Sequence, residues 1–301
     1  DVYKRQGSHP LKGLDNLFLR RRSGKAHRHN GQAGHDERRQ QFIDIQGAAH
    51  RANQKLPDKY EFNVYLTDDG CTDGTQEAVL KEFPTVNIIH GDGSLFWNRG
   101  MYAAWCEAEK KNHAFFLWLN DDTFLLKDSI KNLLIESSNF NNQAIIIGAT
   151  LSSSEDKITY SGWKNRIIID PRIDNRESDY FSGNIVLIPQ KVYSILGKND
   201  PYYIHTIGDT DYGLRATKAG IKNIVCPTIC GICDNHPTKP KWMDSSVKLH
   251  ERWTALYSIG GNGANPIQFF HFKRKHYGLL SAIVTFITNH IHVIFPKLWK
   301  G

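Results

Sequence analysis

From about Tyr60 onward the apolar positions fall into short runs that end in polar turns, and the runs alternate between strand-like and helix-like spacing. Phe62-Asn63-Val64-Tyr65-Leu66-Thr67 alternates apolar and polar and stops at Asp68-Asp69-Gly70, the pattern of a strand ending in a turn. Thr72-Asp73-Gly74-Thr75 then opens a helix over Gln76 to Phe83, where Ala78, Val79 and Phe83 fall at helical spacing, and Pro84 closes it. Val86 to His90 reads as the next strand and completes a strand, helix, strand unit. The order repeats: Gly91-Asp92-Gly93 is a loop, Asn98 to Lys111 a helix, and Ala114 to Leu119 a continuous apolar run. A run apolar on both faces predicts a central strand covered by helices on each side. Further on, the spacing predicts a helix from Asp128 to Ser137 and strands at Ala144 to Gly148 and Asn184 to Ile188. A charged turn region, Ile204 to Gly220, carries Asp209-Thr210-Asp211 ahead of a short helix with Arg215 and Lys218. The fold class is α/β.

Residues before about His50 break this pattern. Arg, His, Gln and Gly crowd Arg20 to Gln41 with no apolar period, and no apolar core follows the basic residues as a signal peptide requires. The formal charge of +7 on 301 residues belongs to this end: residues 1–60 carry 13 Lys/Arg and 6 Asp/Glu, which is the whole excess. A neutral body with a basic head carries no stripe for nucleic acid, so none is expected as a partner. Residues 1–45 are expected to be disordered or to lie outside the native coding frame, with the first strand of the domain missing. Five cysteines, with Cys230-x-x-Cys233 unaccompanied by a second such pair, read as ordinary thiols of the cytoplasm.

At the other end Ile283 to Phe295 is apolar, flanked by Lys273, Arg274, Lys275 and Lys297 and interrupted by Asn289, His290 and His292. It is too short to cross a bilayer and reads as a packed helix, with an interfacial membrane helix as the alternative. Residues 46–253 are thus expected to form the main domain and 254–301 a C-terminal helical extension.

Chemistry gathers where strands end. Asp121-Asp122 follows the buried run, and two adjacent carboxylates at an apolar edge need compensation from hydrogen-bond donors or a cation. Their hard oxygens suit Mg²⁺ or Mn²⁺, whereas a helix N-cap would explain only one of them. Asp68 and Asp69 can accept from a ribose hydroxyl or a base N–H, or can simply form a turn. Asn98, at a helix start, can contact a diphosphate or ribose. Trp97 can stack on a sugar or base, or pack in the core. His236 reads either as a nitrogen ligand to the same ion or as a structural residue.

Taken in order, these motifs resemble glycosyltransferase family 2. Thr67-Asp68-Asp69-Gly70-Cys71-Thr72-Asp73-Gly74-Thr75 resembles the family's DDGSTDGT signature, and Asn120-Asp121-Asp122-Thr123 stands where it keeps its metal-binding DxD-type motif. Gly91 to Met101, with Phe96-Trp97-Asn98-Arg99-Gly100, looks like the subgroup of rhamnosyl- and other cell-surface glycan transferases. Phe181-Ser182-Gly183-Asn184 is similar to that subgroup's donor and acceptor loop. Gly208-Asp209-Thr210-Asp211-Tyr212-Gly213-Leu214-Arg215 resembles an EDxDLxLR element, with Gly208 in place of its first acid.

The resemblance implies a GT-A fold, a Rossmann-like mixed sheet flanked by helices, and inverting transfer dependent on Mg²⁺ or Mn²⁺. Asp68 and Asp69 would then hold the nucleotide, with Asp69 at its base, Asp121 at its ribose and Asp122 at the metal. Gly183 and Asn184 would lie by the donor or acceptor sugar. Asp209 matches the general base, and Asp211 is either its partner or the base itself. The implied donor is a dTDP- or UDP-sugar, with rhamnose the subgroup's sugar, and the acceptor is a glycan or lipid-linked. The implied setting is cell-envelope polysaccharide synthesis in the bacterial cytoplasm, peripheral to the inner face of the membrane. The competing reading is a catalytically impaired nucleotide- or glycan-binding protein on the same fold.

Overall fold

The computed structural model describes residues 60–235, 240–259 and 265–298, with Gln54 and the backbone of residues 19–21. Three parallel strands, β1 (Leu19–Arg21), β2 (Tyr65–Asp68) and β3 (Asn87–His90), form one sheet in that order, and helix α1 (Thr75–Glu82) links β2 to β3. A strand therefore stands beside β2 within the head that was expected to lack one. Its pairing, Leu19 to Leu66 through Arg21 to Asp68, is a backbone ladder, and a backbone ladder needs no side-chain period to announce it.

Helix α2 (Phe96–Ala108) leads to β4 (Phe115–Leu119), and after the two-residue β5 (Phe124–Leu125) comes α3 (Ser129–Asn139). The main sheet runs β10 (Glu177–Ser178), β13 (Asn223–Ile232), β6 (Ile145–Leu151), β12 (Ile185–Pro189), β4, with β5 paired to β13 and β7 (Ile158–Tyr160) to β6. It is mixed: β13 lies parallel to β6, while β12 is antiparallel to both β6 and β4. A small antiparallel sheet of β8 (Gly162–Lys164), β9 (Ile167–Ile168) and β11 (Tyr180–Phe181) stands apart. Helices α4 (Gln190–Leu196), α5 (Gly208–Lys218), α6 (Leu249–Tyr257), α7 (Pro266–Tyr277) and α8 (Leu279–Ile294) complete the chain.

Among the described residues β4 ends the path of its sheet, pairing with β12 alone, so it is not flanked on both sides as expected. It is apolar on both faces because each face meets a core. Phe116 and Trp118 join Met101, Ala104 and Trp105 of α2 on one side, where Trp118 packs edge-on to Trp105 at 5.4 Å and lies 5.1 Å from Tyr212. Leu119 joins Leu133, Ile146, Ile185 and Leu187 on the other. The strand's C-terminal end thereby fixes where Asn120-Asp121-Asp122 emerges.

Two boundaries differ from expectation. Asp209 and Asp211 lie in the first turn of α5 rather than ahead of it. The C-terminal extension was expected to begin after Trp253, which falls inside α6.

Candidate functional site

Asn120, Asp121 and Asp122 leave β4 in a turn. The Asn120 backbone N–H donates to the Asn184 carbonyl (3.1 Å), which ties the end of β4 to the start of β12. The indole N–H of Trp97 donates to Asn120 Oδ1 (2.7 Å) and brings α2 to the same point. Gly183 sits against that indole: a Cβ there would meet two ring carbons of Trp97 at 2.4 and 2.6 Å and the Asp209 Cβ at 3.3 Å. Only glycine lets the chain pass so close. Trp97, Gly183, Asn184, Asp122 and Asp209 are thus brought together, with Asn120 as a residue the site reading had not singled out. Its position one residue before the acidic pair was the available signal.

Asp209 opens α5. Its Oδ2 accepts the Gly183 N–H (2.9 Å) and its Oδ1 the Thr210 N–H (2.7 Å). Burial of the carboxylate pushes its pKa up, and these backbone bonds offset the shift only in part. Such a group holds a proton more readily than an ordinary aspartate, which is the property of a general base. The preceding Ile207 turns the chain into the helix with φ 76°, a conformation that costs a β-branched residue, and packs with Tyr203 and Phe272.

Asp211 is not part of this surface. Its carboxylate is fully buried and receives Arg215 Nε (3.0 Å), Lys275 Nζ (2.8 Å) and His276 Nε2 (2.8 Å), with the Tyr203 hydroxyl donating at 3.2 Å. Burial alone would raise its pKa, but the bonds from His276 and Lys275 and the charge of Arg215 outweigh it and bring the carboxyl down to about 2. A carboxylate so saturated makes a poor proton acceptor, so the reading of Asp211 as base is corrected: it anchors α7 to α5.

Two residues expected at the nucleotide site make their bonds within the protein. Asn98 is buried; its amide donates to the carbonyls of Asp200 (2.8 Å) and Tyr203 (2.6 Å), and its oxygen accepts from Asn199 (2.7 Å). It clips α2 to the segment before α5 and presents nothing to a ligand. A Cβ on Gly208 would stand 1.8 Å from Asn98 Oδ1, which is why no acid occupies position 208. Asp69 is buried too, and its carboxylate accepts the N–H groups of Gly93 (2.9 Å), Leu95 (3.2 Å) and Phe96 (2.9 Å). It shapes the loop into α2, where Phe96 sits at φ 54°. Asp68 Oδ1 caps the adjacent turn through the Cys71 N–H (2.8 Å).

Asp121 and Asp122 remain partly exposed at the rim. The Cys233 thiol lies 3.7 Å from Asp122 Oδ1, and burial together with the Asp122 charge pushes its pKa up, so it is a donor to the carboxylate and not a thiolate ligand. Asn184 reaches Thr123 (3.4 Å) and the Cys233 sulfur (3.5 Å) from below. No three His, Cys, Asp or Glu side chains among the described residues are grouped to hold an ion by themselves. A partly exposed carboxylate without a preformed cage fits Mg²⁺ or Mn²⁺, which bind through one or two carboxylates together with phosphates of a substrate. His236 lies outside the described residues.

Residues 45–195 match the family model described as glycosyl transferase family 2. The structure is similar to that of GalNAc-T7 with UDP, GalNAc and Mn²⁺ (TM-score 0.52, 13% identity, 92% of this chain and 55% of that one). It is similar to residues 1–349 of S. aureus TarS (0.51, 10%, 93% and 80%). It is also similar to the mannosyltransferase PcManGT from Pyrobaculum calidifontis in complex with GDP-Man and Mn²⁺ (0.52, 11%, 96% and 90%). At these identities the likeness is one of fold, and the chain spans about half the length of the GalNAc-T7 chain. No curated protein matches the chain in sequence.

Proposed function

This chain belongs to glycosyl transferase family 2, and from that premise we propose that it transfers a sugar, with inversion, from a nucleoside-diphosphate donor to an acceptor hydroxyl. The observation that carries the reading is Asp209, a carboxylate with raised pKa fixed by two backbone N–H groups beside Trp97 and Gly183. Asp209 takes the proton of the acceptor hydroxyl while that oxygen attacks the anomeric carbon. The bond from that carbon to the diphosphate oxygen breaks on the opposite face, and the diphosphate leaves with the electron pair. Trp97 offers an apolar wall for a sugar, and the Asn120 bond keeps its ring in place. Asp122 is the residue to hold Mg²⁺ or Mn²⁺, with Asp121 next to it and His236 as the further candidate from sequence. When bound, the ion neutralises charge on the departing diphosphate.

Solved relatives in fold that carry UDP or GDP-Man together with Mn²⁺ support a nucleotide-sugar donor. A dTDP- or UDP-linked hexose such as rhamnose, and a glycan or lipid-linked acceptor of the bacterial cell envelope reached from the cytoplasmic side of the membrane, rest on the sequence motifs. A second reading, a catalytically impaired nucleotide- or glycan-binding protein on the same fold, rests on the sequence alone.

Calorimetric titration with UDP and dTDP, each with and without Mn²⁺, and donor turnover in the same preparations separate the two. Asp122→Ala is expected to lose the metal-dependent part of nucleotide binding. Asp209→Asn is expected to keep that binding and lose turnover by about 10²- to 10⁴-fold. The acidic limb of the wild-type pH–rate profile is expected above the ordinary carboxylate range, because Asp209 acts ionised and its pKa is raised. Binding without turnover in the wild type would establish the second reading, and turnover surviving Asp209→Asn would refute the assigned base.

A further inference from the structure

Helix α8 buries one face and leaves the other bare. Ala282, Asn289 and Val293 are buried, with Val293 against Trp242 and Leu256, and Phe286 meets Phe270 edge-on at 6.0 Å. On the opposite side Leu280, Val284, Ile287, Ile291 and Ile294 are all exposed, Leu280 at 75%. They recur at intervals of four and three residues, which keeps them on one face of a helix. No polar side chain interrupts that stripe. A continuous apolar patch of this kind marks a contact surface.

Its surroundings identify the partner. From Arg252 to Gly301 the sequence holds no Asp or Glu, while Arg274 and Lys297 are exposed near the two ends of α8. Lys275 does not count toward this charge, being spent on Asp200 and Asp211. Two exposed aromatics frame the stripe. Tyr277 (52% exposed) ends α7, one glycine before α8, and Trp253 (41%) packs 5.1 Å from the ring of His290, one turn from Ile287 and Ile294. Apolar stripe, cationic ends and flanking Trp and Tyr together are the signature of a helix lying in the headgroup region of a bilayer. No helix among the described residues is long and apolar enough to cross one. A second copy complements the face less well, because an isologous pairing would bring cations to its rim with no acid to meet them.

We propose that the outward face of α8, with Trp253 and Tyr277, seats this chain on an anionic lipid surface. The helix lies in the plane of the interface, its apolar stripe among the acyl chains, while Arg274 and Lys297 meet acidic headgroups. This goes beyond the transfer reaction and does not depend on it.

Vesicle flotation tests it, with phosphatidylcholine alone and with about 30% phosphatidylglycerol added. The intact chain is expected to float with the anionic vesicles at low salt. Leu280→Ser combined with Ile287→Ser and Ile291→Ser changes only exposed positions and is expected to lower the bound fraction by about tenfold or more at unchanged Tm. Arg274→Glu with Lys297→Glu is expected to remove the preference for anionic over neutral vesicles. Failure of the intact chain to float, or unchanged flotation of the triple variant, overturns the proposal. So does a dimer in sedimentation velocity that the triple variant converts to monomer without any vesicle binding, which assigns the face to a second copy. Nucleotide titration of the triple variant, expected to match the wild type, keeps this outcome separate from that of the transfer reading.

Discussion

At Gly183 the absence of a side chain sets the spacing between three elements. Alanine there would drive its methyl into the Trp97 ring, with contacts of 2.4 and 2.6 Å to relieve. The indole must then move, and its bond to Asn120 is the one at risk. Gly183→Ala is expected to cost about 1–3 kcal/mol of stability and to lower turnover by at least about tenfold, since misplacing a substrate-positioning group is costly even when the fold survives. Chemical denaturation and donor turnover measured on the same preparation check it; wild-type turnover in the variant would show that Trp97 does not position substrate. Asp69, Asn98 and Asp211 teach the converse. Each is a polar residue in a motif, and each spends its polarity inside the protein.

Local pattern is what the sequence displays best at the scale of elements. The alternation up to Thr67, the Asp-Asp-Gly turn, the helix after Gly74 and the apolar run before Asn120 all found their elements to within a few residues. Strand β13 was invisible to this reading. It carries Pro227 in its middle, its pairing with β6 shifts register twice, and two consecutive exposed positions break its burial, so no period of two survives. Strands β7 to β11 have two or three residues each, too few to show any period. The site was legible as far as its acids stood at strand ends; what failed were roles decided by distant chain, as when Asn98 meets carbonyls of Asp200 and Tyr203 about a hundred residues away. The junction of α5 and α7 is likewise long-range, and it titrates. Asp211 ionises at about 2 in the fold and near 4 unfolded. Its contribution, about 2 kcal/mol, is therefore complete above roughly pH 4 and is lost as pH falls toward 2. Urea unfolding of wild type and Asp211→Asn is expected to show a stability gap at pH 6 that narrows by pH 3; a gap independent of pH would reject the linkage.

Over the whole molecule the C-terminal helices belong to the body rather than hanging from it. Lys275 and His276 of α7 meet Asp211, Phe272 packs on Tyr203 and Ile207, and Gln268 accepts the Ile204 N–H at 3.0 Å. A chain ending at residue 259 strips Asp211 of two of its cationic or donor partners, and breaking a buried pair costs about 3–5 kcal/mol. Such a truncation is expected to melt well below the intact chain and to lose turnover with it; a truncated form of unchanged Tm would show that the junction adds nothing to stability. The same junction orders events during synthesis. The buried carboxylate of Asp211 lacks two of its partners until residues 275 and 276, more than sixty positions later, have left the ribosome. Translation thus delivers the acidic strand ends early and completes the charge balance of α5 only as α7 emerges.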